Sequence, residues 1–496
     1  MSDQWSSSPG SRPPAGRSAP PGWATGPTAV YEPPTYGSGP PLPPLPPPED
    51  RSRDRLLAGV AVVLVVLVLL ALGGVVYLAR PPDTVATGPS TTATTSRRAT
   101  TTTSPNGSPS TVPGQSAPTL PGATTVPPPT TTIDPALLPS QAEVEEMVRE
   151  LSAFVESTRG LSFKTPVKVQ MVSSDDFNAK LVKDLEESKA EIERQELVLK
   201  PLGLTDPKYP LLESYRKLLQ AGVLGFYDPK TKDLVIRGQQ ITPYTKQTVA
   251  HELVHALDDQ WFGLDRPQYD EQKDEVGFGF GAVVEGNARR IENIYVGRMT
   301  PEEKSQRDDE EAAGMVDADL NGVPEILLKL IQAPYDFGQL FVRKLMDRGG
   351  NDTLARALAE PPRISSAIMH PDRYFNGDVR EEVPKPKAEG KETSDGVFGE
   401  LMTRATLEAA LATNEAAKAA DGWSGDWYVT WVDENKAPCI RIDYKMLTEQ
   451  DLADLKAAYT KWGSGRAGVK VQSVGEDLLE VTSCTSGGAS GGRSPA

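Results

Sequence analysis

Apolar and polar positions alternate with different periods along this chain, and the changes of period divide it. The first apolar run is LLAGVAVVLVVLVLLALGGVVYLA, Leu56–Ala79, and no charge interrupts it. At about 1.5 Å rise per residue, a helix of that length crosses a hydrocarbon core about 30 Å thick. A long polar segment precedes the run and no A-x-A-like cleavage site follows it, so it reads as a retained anchor rather than a signal peptide. Beyond about Leu137 the pattern becomes that of a globular domain. AEVEEMVRELSAFVEST (Ala142–Thr158) has helical spacing, VKVQMV (Val167–Val172) reads as a strand, and charged helical sequence continues to about Gln220. In GVLGFYDPKTKDLVIRG (Gly222–Gly238) two apolar runs flank a DPKTKD turn, the pattern of a hairpin. Helix resumes at Pro243 with Thr242 as N-cap, and more helices follow to about Glu360. DWYVTWV and CIRIDY alternate like strands, LTEQDLADLKAAYTKW is helical, and VKVQSV and LLEVTSC close as strands. Helices in the middle with strands on either side predict an α+β fold.

Composition turns this pattern into a domain plan. Residues 1–55 form a Pro-rich tail, 56–79 the transmembrane helix, 80–136 a Thr/Ser/Pro linker, 137–485 the folded domain and 486–496 a flexible end. The Pro-rich and Thr/Ser/Pro segments bury too little apolar surface to offset the entropy of ordering. PPLPPLPPP (Pro40–Pro48) favours polyproline II and suits a cytoplasmic partner with an aromatic groove, although a solvated tail explains it as well. Arg51, Arg53 and Arg55 directly precede the apolar run and only Arg80 directly follows it. The positive-inside rule therefore puts the N-terminus in the cytoplasm and the domain outside a cell membrane crossed once. A net charge of −16 argues against nucleic acid as a partner. Cys439 and Cys484 are the chain's two cysteines. Outside the cytoplasm a disulfide is their expected use, though spacing alone cannot pair them.

The chain has three histidines, and two stand four residues apart in HELVHALDDQ, residues 251–260. On a helix that spacing places His251 and His255 on one face, aimed at one ion. Glu252 projects about 100° away, suited to a water on the metal rather than to the metal itself. Zinc acidifies such a water and the glutamate takes its proton. Val249, Leu253 and Leu257 form an apolar ridge on the opposite side, so one face of the helix is expected to be buried and the other to present the ligands. Chance would produce H-E-x-x-H in so His-poor a chain about once in several hundred sequences.

A catalytic zinc needs a third protein ligand and an open position. AVVEGNARRIENIYV (Ala282–Val296) offers Glu285 among small and apolar residues, where an unpaired carboxylate is costly. Gly286 beside it allows a second helix to approach closely. Glu292 fits a helix surface better. Asp258 and Asp259 lie too far along the histidine helix to complete a tetrahedron and suit the orienting of a histidine ring. The donor set accepts divalent ions other than zinc.

HELVHALDDQ with the downstream EGNA resembles the gluzincin branch of the zinc metallopeptidases. That resemblance implies a zincin-like domain, two His and one Glu as Zn2+ ligands, and an edge strand beside the metal along which extended substrate lies. The GVLGFYDPKTKDLVIRG segment is similar to that strand. A wider likeness, over roughly Gly222 to Trp431, is to secreted or membrane-anchored prokaryotic zincin-like proteins, through GFYDP, VVEG, PYDFGQLFVRKL, PPRISSAIMHP and GWSGDWY. Asn287 stands where those relatives lead one to expect Asp. In enzymes of the resembling kind a later His or Tyr steadies the oxyanion. His370 is the candidate catalytic residue for that role, set against a structural His in an H-P turn, and Tyr428 is a weaker one. Trp423, Trp427 and Trp431 read as core or strand-surface residues. The expectation is a membrane-anchored zinc metalloprotease that cleaves extracytoplasmic proteins or peptides. The alternatives are a zincin-like module that binds but does not cut, and a structural anchor with incidental histidines.

Overall fold

The computed structural model describes residues 139–485, apart from 207–208, 239, 270–271 and 317–319. The tail, the apolar run Leu56–Ala79, the linker and the segment 486–496 lie outside the described residues. Among those described, no helix is long and apolar enough to cross a membrane.

The described region is α+β, with 13 helices and two sheets. Helix α1 (Gln141–Arg159) opens with a capping box, in which Ser140 and Glu143 exchange side chain–backbone hydrogen bonds. Strand β1 (Lys168–Val172) follows, then α2 (Ser174–Glu187), α3 (Lys189–Leu199) and α4 (Leu211–Gly222). The expected hairpin forms as β2 (Gly225–Asp228) and β3 (Asp233–Arg237). Its sheet has the order β1-β3-β2, with β1 parallel and β2 antiparallel to β3, so β2 is an edge strand. The histidine helix α5 (Pro243–Phe262) starts as its sequence predicts, with the Thr242 hydroxyl accepting from the Thr245 N–H at 3.2 Å and Pro243 in the first turn.

Next come α6 (Val276–Arg298), α7 (Pro301–Val316) and α8 (Glu325–Ala359), the last broken by non-helical backbone at Gly349 and Gly350. Short helices α9 (Ser365–Met369) and α10 (Pro371–Asn376) lead to β4 (Lys391–Gly396), α11 (Gly399–Leu407) and α12 (Thr413–Asp421). The expected C-terminal elements follow as β5 (Trp423–Val432), β6 (Pro438–Met446), α13 (Glu449–Gly463), β7 (Val469–Val474) and β8 (Leu478–Cys484). They form a sheet of order β4-β5-β6-β8-β7, and β4 is the strand that the pattern did not predict. KETSDG has no apolar alternation because its half-buried residues Thr393, Ser394 and Asp395 are met by hydrogen bonds to Thr430, Tyr428 and Trp427 rather than by apolar packing. Cys439 and Cys484 face each other across β6 and β8 and are joined by a disulfide.

Helix α5 departs from the expectation of one buried and one open face. The ridge Val249, Leu253 and Leu257 is buried, as predicted, against Val144, Leu151 and Val155 of α1 and Leu234 and Ile236 of β3. The histidine face is buried too, because α6 and α8 lie over it. Their crossing depends on glycine at two positions. A Cβ on Gly286 would run into the Gly338 carbonyl of α8, and a Cβ on Gly338 would run into the Ala282 carbonyl of α6. Gly286 thus serves the close approach expected of it. A buried ion pair also ties the helices together. Arg159 of α1 donates to Asp258 of α5 at 2.8 Å, and Asn287 of α6 donates to the other oxygen of Asp258 at 2.6 Å. An aspartate at position 287 could not donate that bond in its ionised form.

Two predictions follow from this packing. Gly338→Ala should lower unfolding stability by about 2–3 kcal/mol through overpacking at the crossing, measured by chemical denaturation. Glu275, at the start of α6, accepts from the Ser365 N–H at 2.8 Å, and burial pushes its pKa up to about 8. A raised carboxyl stabilises the fold below its unfolded pKa and loses that contribution as pH rises through its folded pKa. The stability of Glu275→Gln minus that of the wild type should therefore rise from pH 5 to pH 9, by about 2–4 kcal/mol. A difference that stays flat across melts at several pH values would contradict this.

Candidate metal centre

Helix α5 brings His251 and His255 to one face, and α6 sets Glu285 opposite them. The His251 Nε2–Glu285 Oε2 distance is 3.4 Å and the His255 Nε2–Glu285 Oε2 distance is 3.6 Å. A tetrahedral zinc with bonds of about 2.0–2.1 Å holds its donors about 3.3 Å apart. All three residues are buried, and both Nε2 atoms and both Glu285 oxygens lack a hydrogen-bond partner. Buried polar atoms are otherwise paired almost without exception, so four together need a reason. The donor types, their spacing and their lack of partners all fit a divalent cation.

The surroundings fit as well. Glu292, two helical turns beyond Glu285, accepts from His251 Nδ1 at 2.8 Å. That bond leaves Nε2 of His251 as the ligand atom. Glu292 is itself bonded to Gln247 at 2.5 Å and Arg289 at 2.8 Å. It is therefore no surface residue, contrary to the sequence expectation, and it takes the ring-orienting part expected of Asp258 or Asp259. Asp258 is committed to Arg159 and Asn287, and Asp259 accepts from the Tyr227 hydroxyl and Lys232, each at 2.6 Å.

Electrostatics show what the pocket lacks. Burial lowers the His251 pKa, but Glu285 and Glu292 outweigh it and push the imidazolium up to about 10. His255 is held well below its usual value by burial and by the charge on His251. Burial pushes Glu252 up to about 8, partly opposed by His251. Burial also raises Glu285, while Glu292 falls to about 2 because Arg289 and His251 overcome its burial. The carboxylates around His251 thus favour positive charge at its ring, which a proton can supply. A metal ion would supply it in place of that proton.

Glu252 lies beside the donors with its Oε2 held by the Tyr227 N–H of edge strand β2 at 2.9 Å. A residue the sequence did not single out completes the surroundings. The Tyr335 hydroxyl of α8 is buried without a hydrogen-bond partner, and its ring is 6.4 Å from that of His251. Burial and the neighbouring Glu285 hold its pKa well above the usual tyrosine value, so it stays a neutral donor. Its placement depends on the α6–α8 crossing, which local sequence does not reveal. Glu292 did carry a signal, since a residue seven positions from Glu285 returns to the same helix face.

His370 is placed elsewhere. Its Nε2 is 2.7 Å from Glu400 Oε1, and its donors gather with Glu400 and Asp421 rather than with the H-E-x-x-H residues. Tyr428 bonds to Ser394 at 3.1 Å between β4 and β5. Trp423 and Trp431 are core residues, and Trp427 donates to Asp395.

No family model, curated protein or solved structure matches this chain. The gluzincin likeness therefore rests on the sequence motifs alone. Glu292→Ala should weaken zinc affinity by about 10–100-fold, as loss of a ring-orienting carboxylate does elsewhere. Competition with a chromogenic chelator would measure it, and unchanged affinity would remove Glu292 from the ligand support.

Proposed function

We propose that this chain is a zinc-dependent peptidase, anchored by Leu56–Ala79, that hydrolyses peptide bonds of extracytoplasmic proteins or peptides. The observation that carries the reading is the group of four buried, unpartnered donor atoms with a glutamate beside them. His251, His255 and Glu285 would hold the ion. Bound zinc supplies Lewis acidity and lowers the pKa of a coordinated water toward neutrality.

The chain's own residues do the rest. Glu252 is the general base. Its Oε2 is fixed by the Tyr227 N–H, which leaves Oε1 as the oxygen to take a proton from water and pass it to the departing amine. The Tyr335 hydroxyl is a neutral donor for negative charge developing on the substrate carbonyl oxygen, the part expected of His370. Arg289 and Glu292 keep the His251 ring in place.

The enclosure of the site supports a second reading, a zincin-like module that holds metal without cutting. His251, Glu252, His255 and Glu285 are each no more than 5 % exposed. Retention of Glu252 favours the enzyme, since a purely structural metal has no use for it. The full-length chain in detergent, given an unfolded protein such as casein, separates the two. Hydrolysis should occur, stop on chelation and return with zinc. Glu252→Gln should keep its zinc and lose activity by about 10²–10⁴-fold. Undiminished turnover in that variant would sink the mechanism, and a metal-loaded wild type that never cuts would favour the binding module.

A further inference from the structure

We propose that His370, Glu400 and Asp421 form a second divalent-cation site, separate from the H-E-x-x-H centre. His370 lies where α9 meets α10, Glu400 is in the first turn of α11, and Asp421 ends α12. Segments far apart in sequence thus converge on one point. His370 Nε2 is 2.7 Å from Glu400 Oε1 and 3.3 Å from Asp421 Oδ1, and one donor atom from each residue lies within 4.8 Å of the others.

A salt bridge alone leaves this group incompletely satisfied. An imidazolium Nε2 carries one proton and has two carboxylates beside it. Glu400 is 1 % exposed, yet its Oε2 has no hydrogen-bond partner. The Arg373 guanidinium is 3.8 Å from that oxygen and donates instead to Ser366, the Trp423 carbonyl and Asp378. Two more acids stand nearby, Asp426 buried and Glu275 partly buried. Glu275 senses the charges of Glu400 and Asp426, and burial holds its own pKa high. Glu400 and Asp421 therefore share one imidazolium proton between them, a shortage of positive charge that this proton only partly relieves.

A dication relieves it further. On binding, the Nε2 proton leaves to solvent and the freed lone pair takes the ion. Neutral imidazole with two carboxylates suits zinc or manganese. The 3.3 Å contact already matches donors around such an ion, and the 2.7 Å contact must open by about 0.6 Å. Asp421, with its side chain 67 % exposed, leaves a side open to solvent for entry and for water ligands. This exposure predicts weaker binding than at the buried centre.

The test is metal content of the full-length chain, stripped with chelator, equilibrated with zinc chloride and assayed by mass spectrometry. The wild type should hold two zinc ions per chain. Glu400→Gln and Asp421→Asn should each hold one, and His255→Ala should hold one at the site proposed here. Asp421 is a surface residue, so its variant guards against misfolding as the cause of loss. One ion in the wild type, lost in His255→Ala and kept in Glu400→Gln, would overturn this proposal and leave the first centre standing. Two ions that survive both Glu400→Gln and Asp421→Asn would place the second ion elsewhere and overturn it as well. No zinc in the wild type would overturn both sites.

Discussion

Two imidazole nitrogens and a carboxylate, buried where α5 and α6 face each other and none of them hydrogen-bonded, impose the condition that the rest of this domain meets. Each unpaired buried polar group costs about 1–3 kcal/mol, more when it is charged. A domain with a net stability of order 10 kcal/mol does not carry four such atoms without compensation. The compensation is electrostatic. Glu285 and Glu292 flank His251 and favour a proton there, and Arg289 balances Glu292. An ion in place of that proton would bond all the donors at once, so its binding energy would be folding energy.

Bringing Glu285 to the histidines requires two helix backbones almost in contact. Gly286 and Gly338 provide this, since neither position has room for a Cβ. The proposed ligand and the glycine that permits the approach are neighbours in sequence, so the site and the packing cannot be varied independently. The same crossing places Tyr335 next to Glu285 and buries the face of α5 that a simple amphipathic reading leaves open. A helix apolar or committed on every side belongs in an interior. The polar side here is made of His251, bonded to Glu292, Asp258, bonded to Arg159 and Asn287, Asp259, bonded to Tyr227 and Lys232, and His255, which faces Glu285.

The local features of this arrangement were legible in the sequence. Thr242 and Pro243 mark the start of α5, the four-residue spacing places both histidines on one face, and the DPKTKD turn marks the hairpin. Glu285 was legible because a carboxylate among small apolar residues calls for a partner. Features made by contact between distant segments were not legible. Asp258 was read as a ring-orienting group because nothing local shows Arg159, 99 residues earlier, folding back to it. His370 was read toward the zinc because a later His or Tyr steadies the oxyanion in the enzymes the chain resembles, whereas its partners Glu400 and Asp421 come from α11 and α12. Strand β4 escaped notice because its half-buried residues are polar and bonded across to β5. The apolar run and the flanking tails lie outside the described residues, and their reading rests on the sequence alone.

The position of Glu252 shows why strand and helix must be considered together. Its carboxylate could swing freely on α5, but the Tyr227 N–H of β2 fixes one oxygen. The Tyr227 hydroxyl reaches Asp259, two turns further along the same helix, and Lys232 from the hairpin turn bonds that aspartate too. One residue thus sets both the height of the edge strand along α5 and the orientation of the proposed base. A hairpin shifted by one residue would turn Tyr227 to the opposite face of the sheet and break both contacts. The preference for one register is therefore also a preference for one geometry at Glu252. The DPKTKD turn, through Lys232 and its bond to Asp259, thus helps to fix the strand that orients Glu252.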